Sequence, residues 1–345
     1  MSLALLPDGR LVCGNSNGTV CLRNLARGGD VVVTLKEGDA MIPALAVMPE
    51  GRRLVAGVSK RSGDIGDVLV WDVSVEPPAY RGRIDCKSGV YALAVLHDRR
   101  LAAGCSDGVV RLVGVGAGAV GAELVGHSER LLALAVLPDG ALASGSFDGS
   151  GRLWDVARRR WIGVLDNTGS GFAVLSLAVL SDGRLAAGSA DGVLRLWDTD
   201  DQTCEDELCI DGDEGPVNSL AVLPGGRLLC GIGCDVYLVD RALEYMLVGS
   251  HSEAVCVLQP LPGEGDRFAT ASEDETVRLW RGLGPRRGRG GRQRGGGGGR
   301  GGGSGGGGGY GGGSGGGGYG GGGYGGGGYG GGGRVYRGYS GGYYE

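Results

Sequence analysis

Residues 176–198 read SLAVLSDGRLAAGSADGVLRLWD. Three runs of apolar and small residues, LAVL, RLAAGS and VLRLWD, are separated by Ser-Asp-Gly and Ala-Asp-Gly, the punctuation of antiparallel strands joined by tight hairpins. Variants of the phrase open at Ser2 (SLALLPDG), Ala44 (ALAVMPEG), Ala92 (ALAVLHDR), Ala133 (ALAVLPDG), Ser176, Ser219 (SLAVLPGG) and Cys256 (CVLQPLPGEG). A period of about 40 residues holds one four-stranded unit. The fourth strand is expected from less regular apolar segments between copies, such as Val31 to Leu35, Trp161 to Leu165 and Tyr245 to Val248. One such sheet cannot bury both of its faces. Seven packed radially bury the inner-strand Leu and Val at roughly 1.5–3 kcal/mol per side chain, so the expected fold is an all-β closed ring.

Tag residues give the ring a family resemblance. Trp71-Asp72, Trp154-Asp155 and Trp197-Asp198 end the third strand of copies two, four and five, and Trp280 ends that of copy seven. Gly126-His127 precedes copy four, and His251 precedes copy seven. Residues 2–280 thus resemble a WD-repeat β-propeller of seven blades. The resemblance implies a hydrogen-bonded tetrad of His, a second-strand Ser or Thr, a hairpin Asp and the Trp. The matching sets are His127, Ser144, Asp148, Trp154 and His251, Thr270, Asp274, Trp280. Other copies depart from it: Ala187 replaces the hydroxyl residue in copy five, and Val113 and Val239 replace the Trp in copies three and six.

The net charge of −5 conceals a division. Residues 281–345 carry nine arginines and one acid, whereas residues 1–280 carry 25 basic and 38 acidic residues. Forty of the last 65 residues are Gly, a composition that cannot build a packed core. The expected organisation is therefore a propeller over 1–280 and a disordered Arg/Gly/Tyr-rich tail over 281–345. The tail resembles the RGG and Gly-Tyr segments of RNA-associated proteins, with Arg286, Arg287, Arg289, Arg292, Arg294 and Arg300 followed by Tyr310, Tyr319, Tyr324 and Tyr329. Guanidinium groups pair with phosphate and tyrosines stack on bases, so weak binding of single-stranded RNA is one expectation and a simple tether the other. Between Asp198 and Glu214, nine of seventeen residues are acidic, which reads as a solvated loop between blades five and six. Nine cysteines without a Cys-x-x-Cys pair, and no leading signal segment, fit a reducing cytoplasmic or nuclear setting. Cys13, Cys105 and Cys230 occupy second-strand positions where other copies carry Ser or Ala and read as small core residues; no metal or other cofactor is expected.

Formal catalytic motifs dissolve on inspection. Gly14 to Gly18 and Gly104 to Gly108 both spell Gly-x-Ser-x-Gly, yet both fall in repeat hairpins and not in strand-turn-helix elbows. Gly116, Gly118 and Gly121 fit a dinucleotide fingerprint in a stretch with no helix to follow. With two of three histidines assigned to tetrads and His97 to a turn, the chain is expected to be a non-enzymatic scaffold for other proteins or peptides, with no membrane or small-molecule partner. In the family, partners meet the face bearing the inner-strand entrances and the second hairpins. The resemblance places Met41, Tyr91, Arg130, Leu132, Phe147, Leu175, Asn218 and Glu273 there. Finally, Met1 adjoins the first inner strand and only Arg281-Gly-Leu-Gly-Pro follows Trp280 before the Gly-rich tail. Blade seven is accordingly expected to lack its outer strand, unless Arg334 to Tyr339 returns to it or the chain begins upstream.

Overall fold

The computed structural model describes residues 1–25, 30–36, 40–60, 65–166, 171–210, 215–263 and 266–281. Among these residues there is no α-helix, and the strands form seven antiparallel sheets. Each sheet is one copy of the repeat, its strands hydrogen-bonded in chain order. Blade four is representative, with Leu131–Val136 innermost, then Leu142–Ser146, Ser150–Asp155 and Arg160–Asp166. The inner strands stand side by side around the ring, from Ser2–Leu5 to Val255–Leu261, and the last packs beside the first. The all-β, seven-bladed reading of the sequence is therefore the fold.

Burial alternates at the start of the inner strand, where Leu131 and Ala133 are buried and Leu132 and Leu134 half-buried. In blade four the whole second strand, Leu142 to Ser146, is buried, as it lies between two neighbouring blades. The second-strand cysteines Cys13, Cys105 and Cys230 are buried in the same way. Close approach of blades rests on a recurrent glycine. A Cβ on Gly145 would stand 2.6 Å from Val174 Cγ1, and one on Gly188 2.5 Å from Val217 Cγ1, so in each case the next blade's inner-strand valine occupies that space. Blade seven carries Ala271 at this position and packs it into the seam with Leu3 and Leu11 of blade one.

Blade seven differs in one further respect. Its described strands number three, Val255–Leu261, Arg267–Ser272 and Val277–Trp280, against four in every other blade.

Candidate docking face

The two tetrads fix the frame. In blade four the Trp154 indole nitrogen donates to Ser144 Oγ at 2.8 Å, and Ser144 Oγ stands 2.8 Å from His127 Nε2. His127 Nδ1 lies 2.8 Å from Asp148 Oδ2. Every polar atom is satisfied by a neutral imidazole that donates from Nδ1 and accepts at Nε2. Burial pushes the His127 pKa down, outweighing the nearby Asp148, which acts to raise it. Burial acts to raise Asp148, but hydrogen bonds from Ser150 and His127 hold it down at about 2. Blade seven repeats the arrangement: Trp280 Nε1 donates to Thr270 Oγ1 at 2.9 Å, which lies 2.7 Å from His251 Nε2, with Asp274 Oδ2 2.9 Å from Nδ1.

Blades three and five have no such histidine, and an arginine takes over the hairpin aspartate. Arg111 grips Asp107 through two hydrogen bonds of 2.9 and 2.6 Å and lies 3.2 Å from Glu123 of the outer strand. Arg195 likewise pairs with Asp191 at 2.9 Å and donates to Glu207 at 2.9 Å. Glu207 belongs to the acidic stretch, so that stretch is in part a structural strand; residues 211–214 lie outside the described residues. Sequence reading missed this device, although its signal was present in Asp-Gly-x-x-Arg at both hairpins.

With hairpins and inner strands so anchored, one rim of the ring acquires a defined surface. The Ser146 hydroxyl lies 3.0 Å from the carbonyls of Glu129 and Arg130, and the Phe147 backbone donates to the Arg130 carbonyl at 2.9 Å. Clamped in this way, Arg130 lays its guanidinium 5.6 Å from the Tyr91 ring centroid and 5.4 Å from that of Phe147. Ser59 Oγ donates to the Tyr91 hydroxyl at 3.1 Å. A cation between two aromatic faces is attracted by both ring quadrupoles.

The register explains the rest of the rim. In blade three the inner strand pairs Val90 with Cys105 and Ala92 with Gly104, leaving Tyr91 out of the ladder. Leu132, Leu175, Asn218 and Cys256 are bypassed identically in the four following blades. A bulge re-aims the side chain of the extra residue, and all five of these are half-buried. Tyr91, Leu132, Leu175 and Asn218 thus share one structural position, and Cys256 belongs with them although the sequence reading did not include it. Met41 stands at the start of blade two's inner strand, half-buried, and Glu273 on the hairpin of blade seven, exposed, where its backbone donates to Ala254 at 2.9 Å. Of the eight rim residues, Tyr91, Arg130 and Phe147 are brought into one cluster, and none of the eight is buried.

Arg286, Arg287, Arg289, Arg292, Arg294, Arg300, Tyr310, Tyr319, Tyr324 and Tyr329 lie outside the described residues. No helix among the described residues is long and apolar enough to cross a membrane. The family model for the WD domain, G-beta repeat, matches residues 118–155, 162–198 and 244–281. Each segment ends one residue after a Trp tag, Trp154, Trp197 and Trp280, which lie in the third strands of blades four, five and seven. No curated protein matched the chain.

Proposed function

This chain is a seven-bladed propeller carrying WD40 repeats, and we propose that it serves as a non-enzymatic scaffold that docks other proteins on the rim bearing the inner-strand bulges. The observation that carries this reading is the Tyr91–Arg130–Phe147 cluster. Phe147 is 46% exposed, and an aromatic–arginine group held rigid by backbone clamps is the kind of anchor that dominates protein interfaces. Leu132 and Leu175 extend the surface with apolar side chains, and Asn218 adds a polar one. A peptide or loop with an aliphatic anchor and a carboxylate for Arg130 fits this chemistry. Nine cysteines, none of them in a disulfide among the described residues, fit an intracellular, reducing location.

The test compares proteins captured by the full chain with those captured by F147A and R130E, quantified side by side. Partners lost from both variants, with the urea midpoint unchanged, support the rim as the docking platform. An identical set of partners would sink it. RNA association through the arginine run is the second reading, favoured by nine arginines against one acid in residues 281–345. It requires that substituting Arg286, Arg287, Arg289, Arg292, Arg294 and Arg300 by Gln abolish RNA binding in an anisotropy assay.

A further inference from the structure

The junction between blades four and five shows how neighbouring blades close on each other at their outer strands. Gly163 lies on the outer strand of blade four, and the Gln202 side chain, from the turn of blade five, fills the space that a Cβ would need there. Its amide donates to the Ile162 carbonyl at 3.4 Å. Register identifies the same positions between blades two and three. Gly163, opposite Leu153, corresponds to Gly82, opposite Val70. Gln202, just before the outer strand of blade five, corresponds to Gly118, just before that of blade three. The two turns share a positive φ, 57° at Gln202 and 66° at Gly118, so what differs is the side chain. A Cβ on Gly82 or Gly118 would meet no atom within 4 Å.

The space so left is a cleft of about 490 Å³, lined by Arg53, Arg81, Arg83 and Asp72 and by Gly116 and Gly118. Where Ile162 and Val164 flank the glycine of blade four, Arg81 and Arg83 flank that of blade two. Arg81 is the extra residue of a bulge between Tyr80 and Gly82 and donates to Asp72 at 2.7 Å. Arg83 lies 3.3 Å from Asp67. The third cation, Arg53, comes from the second strand. Its counterpart in blade one, Arg10, is 12% exposed and is held by Asp8 and, at 2.6 Å, by Glu76 of the blade-two turn. Arg53 instead meets the blade-three turn, its Nη1 3.9 Å from where Gly116 would carry a Cβ; it lies 4.0 Å from Glu50 and stays 43% exposed. Three guanidiniums thus line one cleft in a segment that is acidic as a whole, with 38 acids to 25 bases.

We propose that this cleft binds a phosphate monoester, with Arg53, Arg81 and Arg83 pairing to its oxygens and the glycine turn leaving room for the group that carries it. The ester is either free or the phosphorylated Ser or Thr of a partner protein. A guanidinium has five N–H donors in a planar fork that matches phosphate oxygens, so arginines already holding a carboxylate keep donors to spare. Hydrogen bonds from Ser74 and Arg81 hold the Asp72 pKa at about 2. Asp72 is therefore ionised at neutral pH, orients Arg81 and competes with the phosphoryl group for it.

The probes are glycerol 2-phosphate and a glycine-flanked phosphoserine peptide, each titrated calorimetrically into the full chain beside its unphosphorylated form. Saturable binding is expected of the phosphorylated forms alone. R53E is expected to weaken it at least about tenfold, and R53Q by less, with urea midpoints unchanged. Asp72→Asn, which releases Arg81, is expected to tighten it, an effect that loosening of the blade would not produce. Binding is also expected to slow amide exchange over residues 115–118. Affinity that survives both R53E and R53Q would place the anion on the arginines between residues 286 and 300 and overturns the proposal. So does exchange over 115–118 that the probes leave unchanged, or the absence of saturable binding. A phosphopeptide bound more tightly than glycerol 2-phosphate assigns the cleft to a phosphorylated partner protein; equal affinity or the reverse order assigns it to a free ester.

Discussion

Ser144 shows how much one hydroxyl can hold. It is fully buried, accepts from the Trp154 indole and supplies the partner of His127 Nε2. Ser144→Ala leaves both groups buried without a partner, and we expect a loss of roughly 1–3 kcal/mol in urea unfolding. The same substitution is already present in blade five, where Ala187 stands at this position beside Trp197 and no histidine occurs, so the penalty is specific to blades that keep the imidazole. An unchanged midpoint would show that the hydrogen-bonded chain carries no stability. The titration of the tetrad has a definite sign. His127 has its pKa lowered in the folded state, so the folded protein binds fewer protons than the unfolded chain and the stabilisation is full above the unfolded value of 6.5. It is lost as pH falls below that value, and Asp148 adds a further loss between 3.8 and about 2. Unfolding followed from pH 8 to pH 5 should therefore show falling stability in the wild type and a shallower fall in His127→Gln. An equal slope in the two proteins would assign the dependence elsewhere.

At the scale of the strand, what was legible in the sequence was whatever repeats. Period-two alternation and Asp-Gly hairpins located the inner three strands of each blade, and the spacing of Gly126-His127, Ser144, Asp148 and Trp154 marked a complete tetrad. The rim was legible only in part. Tyr91, Arg130 and Phe147 could be placed on one face by repeat position, but their mutual stacking depends on the Ser146 clamp and on a bulge, and neither has a residue signature of its own. Cys256 was missed because the sequence reading opened copy seven at Cys256, in line with Ala92, Ala133, Ser176 and Ser219, whereas the register puts Val257 at that position and Cys256 on the bulge. The exchange of a histidine for an arginine at the hairpin aspartate was hidden for another reason: it joins strands through side chains whose pairing follows from register. Two predictions belong here. Arg195→Gln should destabilise by about 2 kcal/mol, since it leaves Asp191 and Glu207 without their cation, and the additional substitution Glu207→Gln should add less than its effect in the wild type, as a double-mutant cycle would show. Gly145→Val should cost about 1–3 kcal/mol because its side chain meets Val174, whereas Ala271→Gly in blade seven should cost at most about 1 kcal/mol; comparable midpoints for the two would contradict the account of blade packing.

Over the whole ring, blade seven carries a complete tetrad yet has the fewest described strands. Local stability and local completeness therefore part company, and hydrogen exchange should display the difference. Residues of the second strand of blade four should be among the slowest, and Val277 to Trp280 should exchange faster than Ser150 to Asp155 in the same experiment. Equal protection of the two third strands would show that the outer edge of blade seven is closed. The bulged position of the inner strands has a different consequence, one of adaptability. Five successive blades present Tyr91, Leu132, Leu175, Asn218 and Cys256 at one site while their neighbours in the ladder remain Val, Leu, Ala or Ser. A residue outside the ladder owes nothing to pairing, so its identity can drift at little cost to folding, on the order of 0.5 kcal/mol for a surface substitution. Each blade therefore holds one freely exchangeable letter in an otherwise constrained word, and five such letters written around a rim amount to an address that selection can rewrite while the scaffold stays fixed.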